Sequence, residues 1–125
     1  TPSRYSHAFI VRKRDGQKTT LEALVETGVK EFPWKHLVKD PYNQFTVLRW
    51  KNTAERAQIA ARASDWAHGM AKNETPYDFH MDLKTDNALY CSELVVKAYS
   101  FASQLNLQKI IHTQSRVKNQ KIFEY

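Results

Sequence analysis

Nearly all apolar residues in the first part of the chain lie in two short stretches, residues 5–11 and 17–25, with a polar segment between them. Short apolar runs flanked by turn-forming residues are typical of β-strands. Asp15-Gly16 lies in the polar segment, and this dipeptide favours a two-residue hairpin turn. The pattern therefore predicts an antiparallel hairpin whose first strand continues toward solvent through Arg12 to Arg14.

The next elements are shorter and are interrupted by turn residues. Gly28 breaks the second strand, and Pro33 and Pro41 oppose a long helix, so residues 31–38 are predicted as a helical turn or an irregular edge. Residues 44–50 are predicted as a third strand. Residues 75–88 are predicted to be mostly loop, and residues 108–125 a final strand or a wrapping tail.

Two stretches have helical spacing. The first is predicted over residues 53–70, with Asn52 as N-cap and Glu55 three residues later. The second begins at or next to Cys91 and runs to about residue 103. Strands followed by helices in 125 residues predict a single α+β domain over residues 1–125. The inward face of the first helix is expected to consist of Ala57, Ala60, Ala61, Trp66 and Ala67.

The net charge of +6 is the main compositional signal. A basic surface attracts polyanions, which could be nucleic acid, anionic lipid or an acidic cell-wall polymer. The basic residues form no dense block with interleaved aromatic residues, so specific nucleic-acid binding is not indicated. No apolar run approaches the ~20 residues of a membrane-spanning helix. A single cysteine allows no internal disulfide.

Cys91 is the first candidate for chemistry. Free backbone N–H groups and the positive end of the helix dipole favour a thiolate at a helix start, and the thiolate is the nucleophilic form of cysteine. The alternative is that Cys91 is a small buried apolar residue, which is the common role of a lone cysteine.

The predicted hairpin places a histidine beside a carboxylate. With Asp15-Gly16 as a two-residue loop, the numbers of paired residues sum to 31, so Phe9 lies opposite Glu22. His7 and Glu22 are then diagonal neighbours on one face, with Cα atoms roughly 7–8 Å apart. An imidazole that acts as a general base needs such an acceptor to orient it. Taken singly, His7 would be a half-buried strand residue and Glu22 a solvent-facing charge.

Other residues are candidates for binding roles. Asp78, His80 and Asp82 alternate along a predicted loop, but they lack the spacing of a metal site, so no metal and no cofactor are predicted. Trp34, between Pro33 and Lys35, is the best candidate for lining a substrate groove. Trp50 and Trp66 are expected to pack in the core.

Four motifs together resemble a known family, the permuted papain-fold cysteine hydrolases. These comprise NlpC-like amidases and peptidases, the bacterial YiiX-like branch and, more distantly, lecithin retinol acyltransferases. The resemblance implies a circularly permuted, papain-like fold in which a small antiparallel sheet or barrel packs against helices and the nucleophile begins a helix. The motifs, in chain order, are Tyr5-Ser6-His7-Ala8-Phe9-Ile10-Val11, Leu21-Glu22-Ala23-Leu24 with Gly28-Val29, Tyr77-Asp78-Phe79, and Tyr90-Cys91-Ser92-Glu93-Leu94-Val95.

The same resemblance assigns roles to individual residues. Cys91 corresponds to the nucleophile, His7 to the general base and Glu22 to the third, orienting residue. Tyr90 belongs to the nucleophile motif and is expected to contact substrate, and the Cys91 backbone N–H is expected in the oxyanion hole. The family also implies a strand upstream of the histidine strand, which this chain, beginning four residues before Tyr5, is expected to lack.

The function implied is a thiol hydrolase that cleaves amide or peptide bonds by a Cys-His-Glu mechanism, with bacterial cell-wall peptidoglycan as the favoured substrate. Activity would then be periplasmic or extracellular, and a delivered effector toxin would have an immunity or inhibitor protein as partner. A lipid amide or ester hydrolase, or an acyltransferase of the same fold, is one alternative. A non-catalytic basic binding module is another. Oligomeric state is not indicated.

Overall fold

The structure is a computed structural model that describes residues 7–39, 44–80, 87–107 and 123–124. It has an α+β architecture in which an antiparallel sheet, in the order β1-β2-β3, packs against helices. A second, two-stranded antiparallel sheet pairs β4 with β5. The elements are β1 (Ile10–Arg14), β2 (Gln17–Leu24), β3 (Gly28–Pro33), α1 (Trp34–Leu37), β4 (Arg49–Trp50), α2 (Arg56–Lys72), α3 (Cys91–Ser103) and β5 (Phe123–Glu124).

The β1–β2 hairpin has the predicted register. Arg14 pairs with Gln17 and Ile10 with Leu21, so the paired numbers sum to 31. Asp15 and Gly16 both have positive φ, 53° and 77°. Two consecutive residues of that kind make the turn whose twist matches the twist of the flanking strands.

The core lies between one face of this sheet and the two long helices. The sheet contributes Ile10, Leu21, Ala23 and Val29, all buried. From α2 come residues four apart, Ile59, Ala63 and Ala67, and from α3 come Leu94, Ala98 and Ala102, also four apart. Alanines on both helices let α2 and α3 pack closely together.

The expected inner face of the first helix is partly wrong. Ala67 is buried and Trp66 packs against the core, but Ala57 and Ala61 are exposed. The buried apolar residues of α2 instead lie on the same helix face as Ile59. Alanine is small enough to lie on either face at little cost, so a run of alanines defines the inner face of a helix poorly.

Several predicted boundaries also differ. The first strand begins at Ile10, three residues after His7. The helical turn predicted within residues 31–38 is present as α1, but residues 31–33 belong to β3. Within residues 44–50 only Arg49–Trp50 pairs as a strand, with Phe123–Glu124. The Asn52 side chain accepts a hydrogen bond from the Ala54 N–H at 3.0 Å, which caps a turn, and α2 begins at Arg56.

Arg12 is buried, contrary to the expectation that it would lead the strand into solvent; it is 8% exposed. Its guanidinium lies 3.4 Å from a carboxylate oxygen of Glu31 on β3 and 3.4 Å from one of Asp65 on α2. These partners explain why a charged side chain can lie between sheet and helix.

Among the described residues, no helix is long and apolar enough to cross a membrane.

Gly28 opens β3 with a φ of +71°, and a Cβ there would lie 2.5 Å from the carbonyl oxygen of Thr75. We therefore expect Gly28→Ala to lower the free energy of unfolding by about 2–4 kcal/mol, through backbone strain and displacement of Thr75. Gly69→Ala is the matched control, because nothing lies within 4 Å of its Cβ position in α2. It should stabilise by roughly 0.5–1 kcal/mol. Urea unfolding measures both, and equal effects of the two substitutions would contradict the close approach at Gly28.

Candidate active site

Cys91 is the first residue of α3 and is half-buried. Tyr90, immediately before it, has extended backbone (φ −100°, ψ 172°), so the chain enters the helix abruptly at the cysteine. The first-turn N–H groups of a helix have no acceptor within the helix. The Cys91 sulfur therefore lies where the positive end of the helix dipole favours an anion.

His7 and Glu22 are in contact across the hairpin, as the predicted register requires. The His7 Nε2 atom lies 2.9 Å from Glu22 Oε1. Glu22 is only 5% exposed, so it is not the solvent-facing charge that it would be if judged alone. Because Nε2 faces Glu22, His7 Nδ1 is the ring nitrogen available to another partner.

Thr20 completes the environment of Glu22. Its hydroxyl donates a hydrogen bond of 2.6 Å to Glu22 Oε2, and the Thr20 side chain is fully buried. Both carboxylate oxygens therefore have a partner. Sequence reasoning missed Thr20, although its position two residues before Glu22 puts it on the same face of β2.

The electrostatics of these groups favour a charged pair. The hydrogen bond with Glu22 raises the pKa of His7 above its ordinary value; burial opposes this shift, and the neighbouring Cys91 side chain adds to it. Burial disfavours ionisation of Glu22, but hydrogen bonds from His7 and Thr20 outweigh it, so the pKa of Glu22 is lowered. His7 thus interacts with a carboxylate and with the side chain of Cys91.

Aromatic rings lie beside His7 and Glu22, and sequence analysis did not predict the contacts that they make. The Phe9 ring is 5.9 Å from that of His7, and the exposed Phe45 ring meets Phe9 edge-on at 6.4 Å. His36 of α1 stacks on Phe32 at 4.8 Å and contributes a small favourable charge interaction to Glu22. The His7 imidazole therefore lies next to the Phe9 ring, and Phe9 contacts the Phe45 ring at the surface.

The other predicted binding residues lie in different settings. Tyr90 is half-buried directly before Cys91, and burial raises its pKa. The ring of Trp34 lies 5.2 Å from Lys18 Nζ. Trp50 is buried and stacks on Tyr99 at 6.0 Å, as a core residue does.

The predicted loop residues Asp78 and His80 lie within the described part of the chain. Asp78 is buried and accepts a hydrogen bond from the His80 N–H at 2.9 Å, while Asp82 lies outside the described residues. Within the described ranges, no group of three His, Cys, Asp or Glu side chains could hold a metal ion. That the chain needs no metal stays a prediction.

A comparison with protein families connects this geometry to a class of enzyme. The family described as permuted papain-like amidase enzyme, YaeF/YiiX, C92 family, matches residues 1–123. The chain belongs to this family, and is therefore a hydrolase of the amidase and cysteine-peptidase class. No curated protein and no solved structure shows significant similarity to it.

The charge on Glu22 should control the titration of His7. We expect Glu22→Gln to lower the pKa of His7, because an amide can accept a hydrogen bond but does not stabilise an imidazolium by charge. NMR titration of the His7 ring protons measures this. Glu31→Gln is the matched control, since Glu31 contacts His68 at 3.1 Å and should leave the His7 titration unchanged.

The same substitution should change how stability depends on pH. Because the pKa of His7 is raised in the folded protein, protonation of His7 stabilises the fold below the ordinary pKa of 6.5. This stabilisation is lost as pH rises through the pKa of the folded protein. The lowered pKa of Glu22 stabilises above its ordinary 4.5 and is lost as pH falls. The stability difference between wild type and Glu22→Gln should therefore be largest between these two values. A difference that is the same at pH 5.5 and pH 8 would contradict the charged pair.

Proposed function

We propose that the chain hydrolyses amide bonds with Cys91 as nucleophile, His7 as general base and Glu22 as the residue that orients His7. The observation that supports this most directly is that His7 Nε2 lies 2.9 Å from the buried carboxylate of Glu22. The neighbouring Cys91 side chain also helps to raise the pKa of His7. Covalent catalysis by cysteine requires a nucleophile, a base that can reach it and a group that orients the base. His7 precedes Cys91 in the chain, which agrees with the permuted order in the family's description.

Each group has a defined task in this reaction. His7 Nδ1 takes the proton from the Cys91 thiol, and Glu22 stabilises the imidazolium that results. The thiolate sulfur attacks the carbonyl carbon, and backbone N–H groups at the start of α3 stabilise the oxyanion. The C–N bond breaks as the imidazolium gives its proton to the leaving amine. His7 then takes a proton from water, whose oxygen displaces the thiolate and releases the carboxylic acid.

As substrate we propose peptide amide bonds in bacterial cell wall. An anionic polymer suits the net charge of +6. Lys13 and Lys18 pair directly across the hairpin, and alternation along β2 puts Lys18 on the same face as Glu22. Like charges placed opposite each other repel unless an anion lies between them. Trp34, next to Lys18, and Tyr90, next to Cys91, are proposed to contact the substrate.

The place of action follows from this substrate. The enzyme would act in the periplasm or outside the cell, and a delivered toxin of this kind would have an immunity protein as partner. A lipid amide or ester hydrolase, or an acyltransferase, is the second candidate. It is favoured by the apolar surface that runs from His7 through Phe9 to Phe45, which is 47% exposed.

Loss of either the nucleophile or the base should remove nearly all activity. We expect Cys91→Ala and His7→Ala each to reduce turnover by roughly 10³-fold or more, because the two act as a unit. Mass spectrometry of digested peptidoglycan, with vesicles of an N-acylated lipid alongside, identifies the product. His68→Ala is the matched control, since it removes another histidine that contacts a glutamate and should leave turnover unchanged.

The outcomes separate the candidates. Activity above about a tenth of wild type in Cys91→Ala would exclude the cysteine mechanism. Products from lipid alone would select the second candidate. A third possibility, a non-catalytic basic binding module, would show neither product and a Cys91 that iodoacetamide does not alkylate below neutral pH.

The basic end of the hairpin should govern binding to the polymer and not the chemical step. We expect Lys13→Gln/Lys18→Gln to weaken retention on isolated cell walls several-fold at low salt, with little effect at physiological salt, where screening acts within about 8 Å. Lys51→Gln/Lys72→Gln removes the same charge from exposed positions elsewhere and should have a smaller effect. Co-sedimentation measures retention. Equal losses in both double variants, or equal retention of the wild type on duplex DNA, would mean that only net charge matters.

A further inference from the structure

A buried charged side chain lies in the first turn of the nucleophile helix and has no part in the mechanism above. Glu93 is 1% exposed, two residues after Cys91. Its Oε1 atom accepts a hydrogen bond of 3.1 Å from the Tyr90 backbone N–H. The carbonyl oxygen of Tyr90 in turn accepts a hydrogen bond of 3.0 Å from the Leu94 N–H. Both peptide groups flanking Tyr90 are therefore held, directly before the cysteine.

The second oxygen of Glu93 faces a buried cation. Lys97 is 9% exposed, and its Nζ lies 3.1 Å from Glu93 Oε2. The contact is an ion pair between side chains one helical turn apart. Removing one member of a buried pair leaves the other charge uncompensated, which is far more costly than losing both.

The segment before Cys91 is fixed from a second side as well. Leu89, two residues before Cys91, donates its N–H to the Pro76 carbonyl at 2.9 Å and accepts a hydrogen bond from the Asp78 N–H at 3.1 Å. Burial raises the pKa of Glu93, although Lys97 and the Tyr90 N–H lower it, and the buried Asp78 adds a smaller effect that raises it.

We propose that Glu93 is a positioning residue for Cys91: by accepting the Tyr90 N–H it sets the angle at which the chain enters α3, and Lys97 is the counter-ion that holds it there. This rests on the proposed role of Cys91 as nucleophile. With Tyr90 N–H engaged by the side chain, the Cys91 N–H stays directed at the space in front of the helix, where the proposed oxyanion would form. The requirement is an acceptor oxygen at position 93, and the two charges only stabilise it.

This requirement can be tested with two double variants. Glu93→Gln/Lys97→Met removes both charges but keeps an oxygen for the Tyr90 N–H, whereas Glu93→Ala/Lys97→Met removes the oxygen as well. The readout is the rate of Cys91 alkylation by iodoacetamide from pH 5 to pH 9, at a temperature where circular dichroism shows each variant folded. We expect the Gln/Met variant to stay within about threefold of wild type. The Ala/Met variant should react at least tenfold more slowly near neutral pH, with its profile moved to higher pH.

Ser103→Ala is the matched control at the other end of the helix. The Ser103 hydroxyl donates to the Tyr99 carbonyl at 2.7 Å and accepts from the Leu105 N–H at 3.2 Å, so this variant weakens α3 without touching the Tyr90 junction. It should lower the melting temperature and leave the alkylation profile unchanged. Equal profiles for the Ala/Met and Gln/Met variants, or a shifted profile in Ser103→Ala, would reduce Glu93 to an ordinary helix cap and overturn the proposal.

A measurement on the wild type covers the case in which the Ala/Met variant does not fold. Hydrogen exchange by NMR should find the Tyr90 amide at least tenfold more protected than that of Cys91, and an unprotected Tyr90 amide would overturn the proposal. Because iodoacetamide is not a substrate, the two proposals can fail separately. A wild-type Cys91 that is unreactive below neutral pH contradicts both, whereas a reactive wild type with an equally reactive Ala/Met variant contradicts only the role of Glu93.

Discussion

The two-residue turn at Asp15 and Gly16 fixes the pairing of β1 with β2, and the contact between His7 and Glu22 depends on that pairing. Side chains alternate along a strand, so a slip of one residue would turn Glu22 toward α2 and away from His7. A local backbone constraint at the far end of the hairpin thus determines where a carboxylate lies relative to an imidazole.

The sheet carries a histidine–glutamate contact on each face, and the two differ in what surrounds them. On one face, His7 and Glu22 lie near Cys91. On the other, Glu31 contacts His68, Arg12 and Thr19, and that group joins the sheet to α2. The second contact is embedded in an ionic network that holds elements together, whereas the first leaves a ring nitrogen available to a thiol. What each histidine–glutamate pair can do chemically therefore depends on the other groups around it.

The start of α3 concentrates three effects on one residue. The helix dipole favours an anion at Cys91, the free N–H groups of the first turn can bind an oxyanion, and the Glu93–Lys97 pair holds the preceding peptide. Placing an acidic residue near the proposed thiolate would disfavour that thiolate by charge repulsion. The adjacent lysine offsets the charge, which gives a physical reason for burying both side chains.

The amino-acid sequence by itself determined the features that depend on local chemistry: the hairpin and its register, the start of a helix at Cys91, and the α+β class. Asp15-Gly16 admits few turn types, and the spacing of the apolar residues in α3 is strongly helical. Family membership also followed from the sequence, through the motifs around His7 and Cys91. Other features needed the tertiary structure, because they depend on which residues from distant parts of the chain meet. The burial of Arg12 required Asp65 from α2, strand β3 required Thr75 to approach Gly28, and the inner face of an alanine-rich helix was chosen by its neighbours. Residues far apart in sequence come into contact only when the core forms. A local sequence pattern therefore does not indicate which charged side chain will be paired there.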